Sequence, residues 1–313
     1  MERSLTANDE FLAGVFRTDA GERRYKLFRP GALPSAGQRT LVVVLHGCTQ
    51  DADDIARGTR LNAAASREGF VVLYPEQPAS ANALKCWNWF LPEQSARGCG
   101  EAVIIAELTA KVVRDERIGP RRTVITGISA GGAMAANLVA DYPELWTAVA
   151  LHSGLPAHVA RSQAEAIAVM TNGAADPDAL GRAAFDAMGA YARAAHDAMG
   201  ARARIVPALL MHGGADHLVS PLNLRATTRQ FVVMNALAAG APVPEPTELP
   251  ATDARCHGQR WALADGRVLA ESWRFDGVGH AWSGGDAGGT YTDPGGPDAT
   301  ALVLEFFNRM LAP

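Results

Sequence analysis

Two apolar runs, Leu41-Val-Val-Val-Leu45 and Phe70-Val-Val-Leu-Tyr74, carry no polar side chain on either face, which is the pattern of strands buried on both sides of a parallel sheet. Parallel neighbours need a crossover, and Asp51 to Glu68 supplies one of helical length, with Asp51 or Asp53 as its N-cap and Gly69 as its stop. The alternation continues. A helix is expected over Glu101 to Arg117, with Ile104, Ile105, Leu108 and Val112 on one face, then a strand over Arg122 to Thr126. An Ala-rich helix over Ala130 to Tyr142 stops at Pro143. Strands over Trp146 to Leu151, Ile205 to Met211 and Val268 to Phe275 follow, and a helix over Asp298 to Leu311 closes the chain. An α/β fold results, with a mainly parallel sheet and helices on both faces.

Two stretches break the pattern. From about Leu155 to Arg204 the chain holds Ala-rich helical segments and no strand, so residues 155–204 are expected to form a helical lid or insertion over the active-site edge of the sheet. Gly240 to Asp253 and Gly284 to Pro297 read as irregular loops. There is no internal repeat and no flexible linker, so residues 1–313 read as one catalytic domain.

Composition excludes several partners. Lys and Arg number 29 against 33 Asp and Glu, a net charge of −4, with no basic block of the kind that neutralises phosphates, so nucleic acid is not an expected partner. No apolar window approaches membrane-spanning length, so a membrane is not expected either. The first ten residues lack the apolar core of a secretory signal; on this reading the protein stays inside or the sequence is that of a mature form. Cys48, Cys86, Cys99 and Cys256 match no metal-ligand spacing; they allow free thiols or two disulfides in any of three connectivities.

The chemistry concentrates in Gly127-Ile-Ser129-Ala-Gly131, which follows a strand and opens a helix. A serine on such a turn stands exposed above the sheet edge, and the helix behind it directs backbone N–H groups towards developing negative charge. A serine hydroxyl needs a base, and the base an orienting acid, in the chain order Ser, Asp or Glu, His. Asp216 lies in the loop after the strand ending at Met211, and His280 in the Gly-rich loop after the strand ending at Phe275. Asp176 and Asp253 compete for the acid's place but follow no strand end. A metal reading of His212, Asp216 and His217 fits no common ligand spacing, and no metal or cofactor is called for. His152, His158, His196 and His257 read as core or surface histidines. The oxyanion hole is assigned to the amides of Ala130, after the nucleophile, and Cys48, which follows the turn at Gly47.

Several blocks in order, Leu45-His-Gly-Cys-Thr-Gln50, Tyr74-Pro-Glu-Gln77, Cys86-Trp-Asn-Trp-Phe90, Gly100-Glu101, Gly127-Ile-Ser-Ala-Gly-Gly-Ala-Met134, His152-Ser-Gly-Leu-Pro156, Gly279-His-Ala-Trp-Ser-Gly-Gly285 and Tyr291-Thr-Asp-Pro-Gly-Gly-Pro-Asp298, resemble the poly(3-hydroxybutyrate) depolymerase-like esterases. The resemblance runs from about Phe11 to the C-terminus. It implies the α/β-hydrolase fold shared with feruloyl and acetyl-xylan esterases, the triad Ser129, Asp216 and His280, and the Cys48 amide in the oxyanion hole. It also implies a secreted or periplasmic location. The family's secreted members carry a linker and substrate-binding domain that this sequence does not show, which puts adsorption to crystalline polymer in doubt. Cys99 and Cys256 are not expected from the resemblance; their pairing with each other would leave Cys48 with Cys86.

The expected activity is hydrolysis of polyhydroxyalkanoate or its short oligomers. Feruloyl or acetyl esters on polysaccharide are the alternative, and a non-catalytic hydrolase-like binding protein is the reading from another class. Trp282, Trp87, Trp89 and Asn88 are expected to contact the ester substrate, with core packing as the competing role of each Trp.

Overall fold

The computed structural model describes residues 8–199, 204–251 and 253–312, with the side chains of residues 190–199, His196 among them, outside the description. An antiparallel hairpin, β1 (Glu10–Thr18) and β2 (Gly21–Arg29), leads into β3 (Arg39–Leu45), helices α1 (Ala52–Thr59) and α2 (Leu61–Glu68), and β4 (Val71–Pro75). After α3 (Pro92–Ser95) and α4 (Gly100–Asp115) come β5 (Ile118–Ile128), α5 (Ala130–Asp141) and β6 (Ala148–His152). Helices α6 (Gln163–Asn172) and α7 (Pro177–Met199) precede β7 (Ala208–Gly213) and α8 (Leu222–Ala239). Then follow β8 (Thr247–Leu249), β9 (Cys256–Ala262), β10 (Val268–Phe275), the short pair β11 (Trp282–Ser283) and β12 (Thr292–Asp293), and α9 (Ala299–Leu311).

The ten-stranded sheet has the order β1-β2-β4-β3-β5-β6-β7-β10-β9-β8, parallel from β4 through β10 and antiparallel at both margins. Alternation along β3 explains the layering. Leu41, Val43 and Leu45 enter one core with α4, α5 and α8, while Val42 and Val44 enter the other with α1, α2 and α9. Each such fully buried aliphatic side chain contributes about 1.5–3 kcal/mol, so both faces are held. This is the α/β-hydrolase arrangement, with every parallel strand ending at the same edge.

Several elements differ from the sequence reading, among them β8 and β12, which fall in segments read as irregular loops. The expected helix over Asp51 to Glu68 is capped as expected, by the Asp51 side chain on the amide of Asp54 and by Gly69. It breaks at Arg60, which has a left-handed φ of 56°. The break is fixed from outside the helix: the Arg60 guanidinium binds the Gly284 carbonyl and Asp298, and Thr300 Oγ donates to the carbonyl of Thr59. The hairpin β1–β2 was not legible because its outer strand is largely exposed and lacks a continuous apolar face. Helix α8 was also missed, because Asn223, Thr227, Thr228, Gln230 and Asn235 are buried in it and blur the apolar periodicity. Two of these are clamps: Gln230 satisfies both backbone groups of Ala157, and Asn235 both of Val206.

The segment 155–204 contributes α6 and α7, with residues 200–203 outside the description. Ala184 and Met188 of α7 join the core that holds α5 and α8, and the end of α6 meets the loop after β7, where the Ser220 amide donates to the Met170 carbonyl.

Candidate active site

Ser129 sits between β5 and α5 with φ 57° and ψ −123°, a backbone conformation that L-residues rarely adopt. The sharp turn requires bare backbone around it. A Cβ on Gly127 would lie 2.6 Å from the Gly131 carbonyl carbon, and one on Gly131 would collide with the carbonyl oxygens of Leu45 and His46. That close approach brings the end of β3 against the start of α5, so the Gly47-Cys48 turn lies beside Ser129. Among the described residues the Ser129 hydroxyl has no hydrogen-bond partner in the chain, and the amides of Cys48 and Ala130 donate to no protein acceptor.

Asp216 and His280 are brought together from loops after β7 and β10. Nδ1 of His280 lies 2.7 Å from Oδ2 of Asp216, and the two side chains are 8% and 0% exposed. Oδ1 of Asp216 accepts the amides of Leu218 and Val219 at 3.0 and 2.9 Å. His212 Nε2 points at the Val219 carbonyl (2.9 Å) and at Oδ2 of Asp216 (3.3 Å), so His212 supports the carboxylate, while His217 is exposed. Burial alone would raise the Asp216 carboxyl, but the hydrogen bonds from His212 and His280, the charge of His280 and the Val219 amide outweigh it and hold the group well below the usual carboxylate range. The two loops are also joined directly, by Gly214 N–H to the Phe275 carbonyl and Ala215 N–H to the Val278 carbonyl. The rival acids lie elsewhere: Asp176 caps the start of α7 and Asp253 pairs with Arg255. Among the described residues no cluster of three or more His, Cys, Asp or Glu is placed to hold a metal ion.

The turn bearing Cys48 is fixed on every side. Gln50 Oε1 accepts the Gly47 amide at 2.9 Å, and its Nε2 donates to Asp54 and to the Thr290 carbonyl. His46 is fully buried: Nδ1 lies 2.7 Å from the Gly47 carbonyl and Nε2 accepts the Gln77 amide at 3.0 Å. Burial holds this imidazole down to about 4, against the opposing effect of the Gly47 hydrogen bond. Cys48 is disulfide-bonded to Cys86. Of the pairings the sequence left open, only this one is formed among the described residues: Cys99 and Cys256 are free thiols, one at the start of α4 and the other at the start of β9.

The four residues expected to contact substrate are all buried. Trp282 is 1% exposed and donates through Nε1 to Thr300 Oγ, Trp87 is fully buried against His46, and Trp89 packs on Phe90. Asn88 is held by the buried carboxylate of Glu101 through both its backbone and side-chain N–H groups. Burial raises the Glu101 carboxyl, opposed by hydrogen bonds from Asn88 and Gln77 and by the charge of Arg23. The Trp-Asn-Trp segment thus anchors the Cys86 loop from inside. Exposed apolar groups at this edge come from other residues: Tyr291, whose ring meets His280 edge-on at 6.1 Å, Leu218 in the acid loop, and Leu84, whose carbonyl accepts the Thr49 amide. Sequence reasoning missed Gln50, Glu101, His152 and Tyr291 as parts of the site, although each falls in one of the blocks that carried the resemblance.

The family model described as Esterase PHB depolymerase matches residues 24–245. The chain belongs to this family. One similar member is the poly(3-hydroxyalkanoate) depolymerase C of Paucimonas lemoignei, 30% identical over 281 residues, covering 90% of this chain and 61% of that protein. The chain therefore spans slightly less than two thirds of that relative's length. The acetylxylan esterase A of Emericella nidulans is 26% identical over 248 residues, covering 78% of this chain and 76% of the relative. An acetyl xylan esterase structure from Aspergillus awamori superposes with a TM-score of 0.69 at 19% identity, covering 97% and 99% of the two chains, and so shares the fold of this family member.

Proposed function

We propose that this member of the Esterase PHB depolymerase family is a serine carboxylic-ester hydrolase with Ser129 as nucleophile, His280 as base and Asp216 as orienting acid. The observation that carries the reading is the Asp216–His280 pair, linked through His152 to the turn of a serine whose hydroxyl is free and whose backbone has the strained conformation of a strand-to-helix turn. His280 Nε2 takes the Ser129 proton as Oγ attacks the ester carbonyl, and the Cys48 and Ala130 amides take up the charge on the oxyanion. The ester C–O bond breaks, His280 returns the proton to the departing alkoxide oxygen, and water repeats the sequence to free the acid and Ser129. Asp216 holds the imidazole by its Nδ1–H and offsets the positive charge formed on it.

The substrate reading is a short-chain polyhydroxyalkanoate or its oligomers. Its support is the family membership together with the exposed apolar groups of Tyr291, Leu84 and Leu218 at the edge that bears the triad, which suit an apolar polyester. A second reading, acetyl or feruloyl esters on xylan, is favoured by the acetylxylan esterase relative that matches over most of both lengths. The Cys48–Cys86 bridge supports an exported location, where disulfides persist. Among the described residues no helix is long and apolar enough to cross a membrane.

The test sets the parent protein beside Ser129→Ala on hydroxybutyrate oligomer, amorphous polyhydroxybutyrate granules, methyl ferulate and acetylated xylan. Ser129-dependent release is expected fastest from oligomer or granules. Faster release of ferulate or acetate moves the protein to the second reading. No turnover, with no covalent labelling by a serine-directed phosphonate, makes it a binding protein on a hydrolase scaffold.

A further inference from the structure

The turn that carries Ser129 and the segment after His280 are fastened to the end of β6 at His152, and β7, the strand that leads to Asp216, is bonded to the same end at Ser153. The His152 carbonyl accepts the Ser129 amide at 3.0 Å, and the Ser153 amide donates to the carbonyl of Met211, the residue before His212, at 2.8 Å. Nε2 of His152 lies 3.3 Å from the amide of Ser283, three residues after His280. Its ring is fully buried, tilted against Trp282 at 5.4 Å and Phe275 at 5.9 Å. We propose that His152 is a positioning residue for the triad: its unprotonated Nε2 accepts the Ser283 amide and so fixes the His280 loop against the turn that bears Ser129. The proposal rests on the reading of Ser129 and His280 as nucleophile and base.

The hydrogen-bond pattern dictates the tautomer. A backbone N–H facing Nε2 requires a lone pair there, which places the proton on Nδ1, 3.2 Å from Ser153 Oγ as acceptor. A doubly protonated ring would set N–H against N–H. Burial, reinforced by the nearby charges of His212 and His280 and opposed by Asp216, holds His152 down to about 3, so the accepting form is the one present at neutral pH. Trp282 completes the clamp: with Nε1 on Thr300 Oγ and its amide on the Tyr291 carbonyl, it leaves the segment after His280 no freedom to shift.

The test compares His152→Phe, which keeps a ring for Trp282 and Phe275 and loses the acceptor, with His152→Gln, whose Oε1 can accept the Ser283 amide. With p-nitrophenyl butyrate, His152→Phe is expected to lower kcat by about 10–100-fold with KM within about twofold, because misplacement of a base costs rate and not binding. His152→Gln is expected to recover to within about fivefold of the parent. Loss of equal size in both folded variants makes the ring's packing the only contribution and overturns the proposal, as does a His152→Phe enzyme of parental kcat. Should His152→Phe fail to fold, His152→Leu carries the test: it also removes the acceptor for the Ser283 amide, and a kcat equal to the parent's overturns the proposal. The low-field imidazole proton shared by His280 and Asp216, followed by NMR, is expected to broaden in His152→Phe and persist in His152→Gln. That readout stands even if the parent shows no Ser129-dependent turnover, a result that refutes the esterase reading alone.

Discussion

The Asp216 carboxylate meets His280 Nδ1 at 2.7 Å through one oxygen while its other oxygen accepts two backbone amides, so the carboxylate is immobilised by its own loop where it meets the imidazole. Asp216→Asn keeps the shape but offers an N–H or a weaker acceptor to Nδ1, favouring the wrong imidazole tautomer. A fall in kcat on the order of 10³–10⁴-fold on a soluble p-nitrophenyl ester is expected, with the thermal midpoint close to the parent's. Activity within tenfold of the parent, roughly 1.4 kcal/mol, would remove Asp216 from the triad.

Backbone strain at Ser129 makes a prediction independent of activity. Ser129→Ala and Ser129→Gly both lose the nucleophile, but only glycine relaxes at φ 57°, ψ −123°. Ser129→Gly is expected to be more stable than Ser129→Ala by about 1 kcal/mol in urea unfolding. Equal midpoints would show that the turn is unstrained.

The Cys48–Cys86 bridge spans 38 residues of sequence and ends on the residue whose amide is assigned to the oxyanion hole. Replacing both cysteines by Ala is expected to lower stability by about 3–4 kcal/mol. It is also expected to lower kcat more than it raises KM, because the amide serves the transition state. Reduction of the parent protein that leaves both stability and kcat unchanged refutes the coupling.

Acid stability is set by two buried histidines. His46 and His152 are held down to about 4 and about 3 by burial, against ~6.5 for an unfolded chain. Between those limits the unfolded state binds more protons, so stability falls as the pH falls below about 6.5, by up to about 2.7 kcal/mol per pH unit where both unfolded rings are charged and both folded rings neutral. Asp216, whose carboxyl is depressed, contributes stability that is complete above about pH 4 and is lost only below it. Urea midpoints measured from pH 7 to 4.5 are therefore expected to drop steeply, and less steeply in His152→Gln. A flat profile over that range contradicts the burial of neutral imidazoles.

Much of the site was legible because local chemistry wrote it. Gly127, Ser129 and Gly131 sit where a strand turns into a helix, and the loops bearing Asp216 and His280 each follow a strand whose apolar run marks its end. The burial of Trp282, Trp87 and Trp89 was not legible, because an aromatic residue near a loop has the same sequence signature whether it faces solvent or core. Burial here follows from partners distant in sequence: Thr300 for Trp282 and His46 for Trp87. The pairing of the cysteines was not legible for the same reason, since an even cysteine count carries no distance.

The sequence by itself determined the parallel α/β core, through apolar runs of strand length separated by helical stretches, and it singled out Ser129, Asp216 and His280, in that chain order, as the proposed triad. Only the tertiary structure decided how those three are held. The hydrogen bonds from the Ser129 and Ser283 amides to His152, from Gln50 to Thr290 and from Asn88 to Glu101 join segments 13 to 240 residues apart. Such bonds depend on where the sheet brings chain ends together and on the exclusion of water there, and neither is a property of any local run of residues.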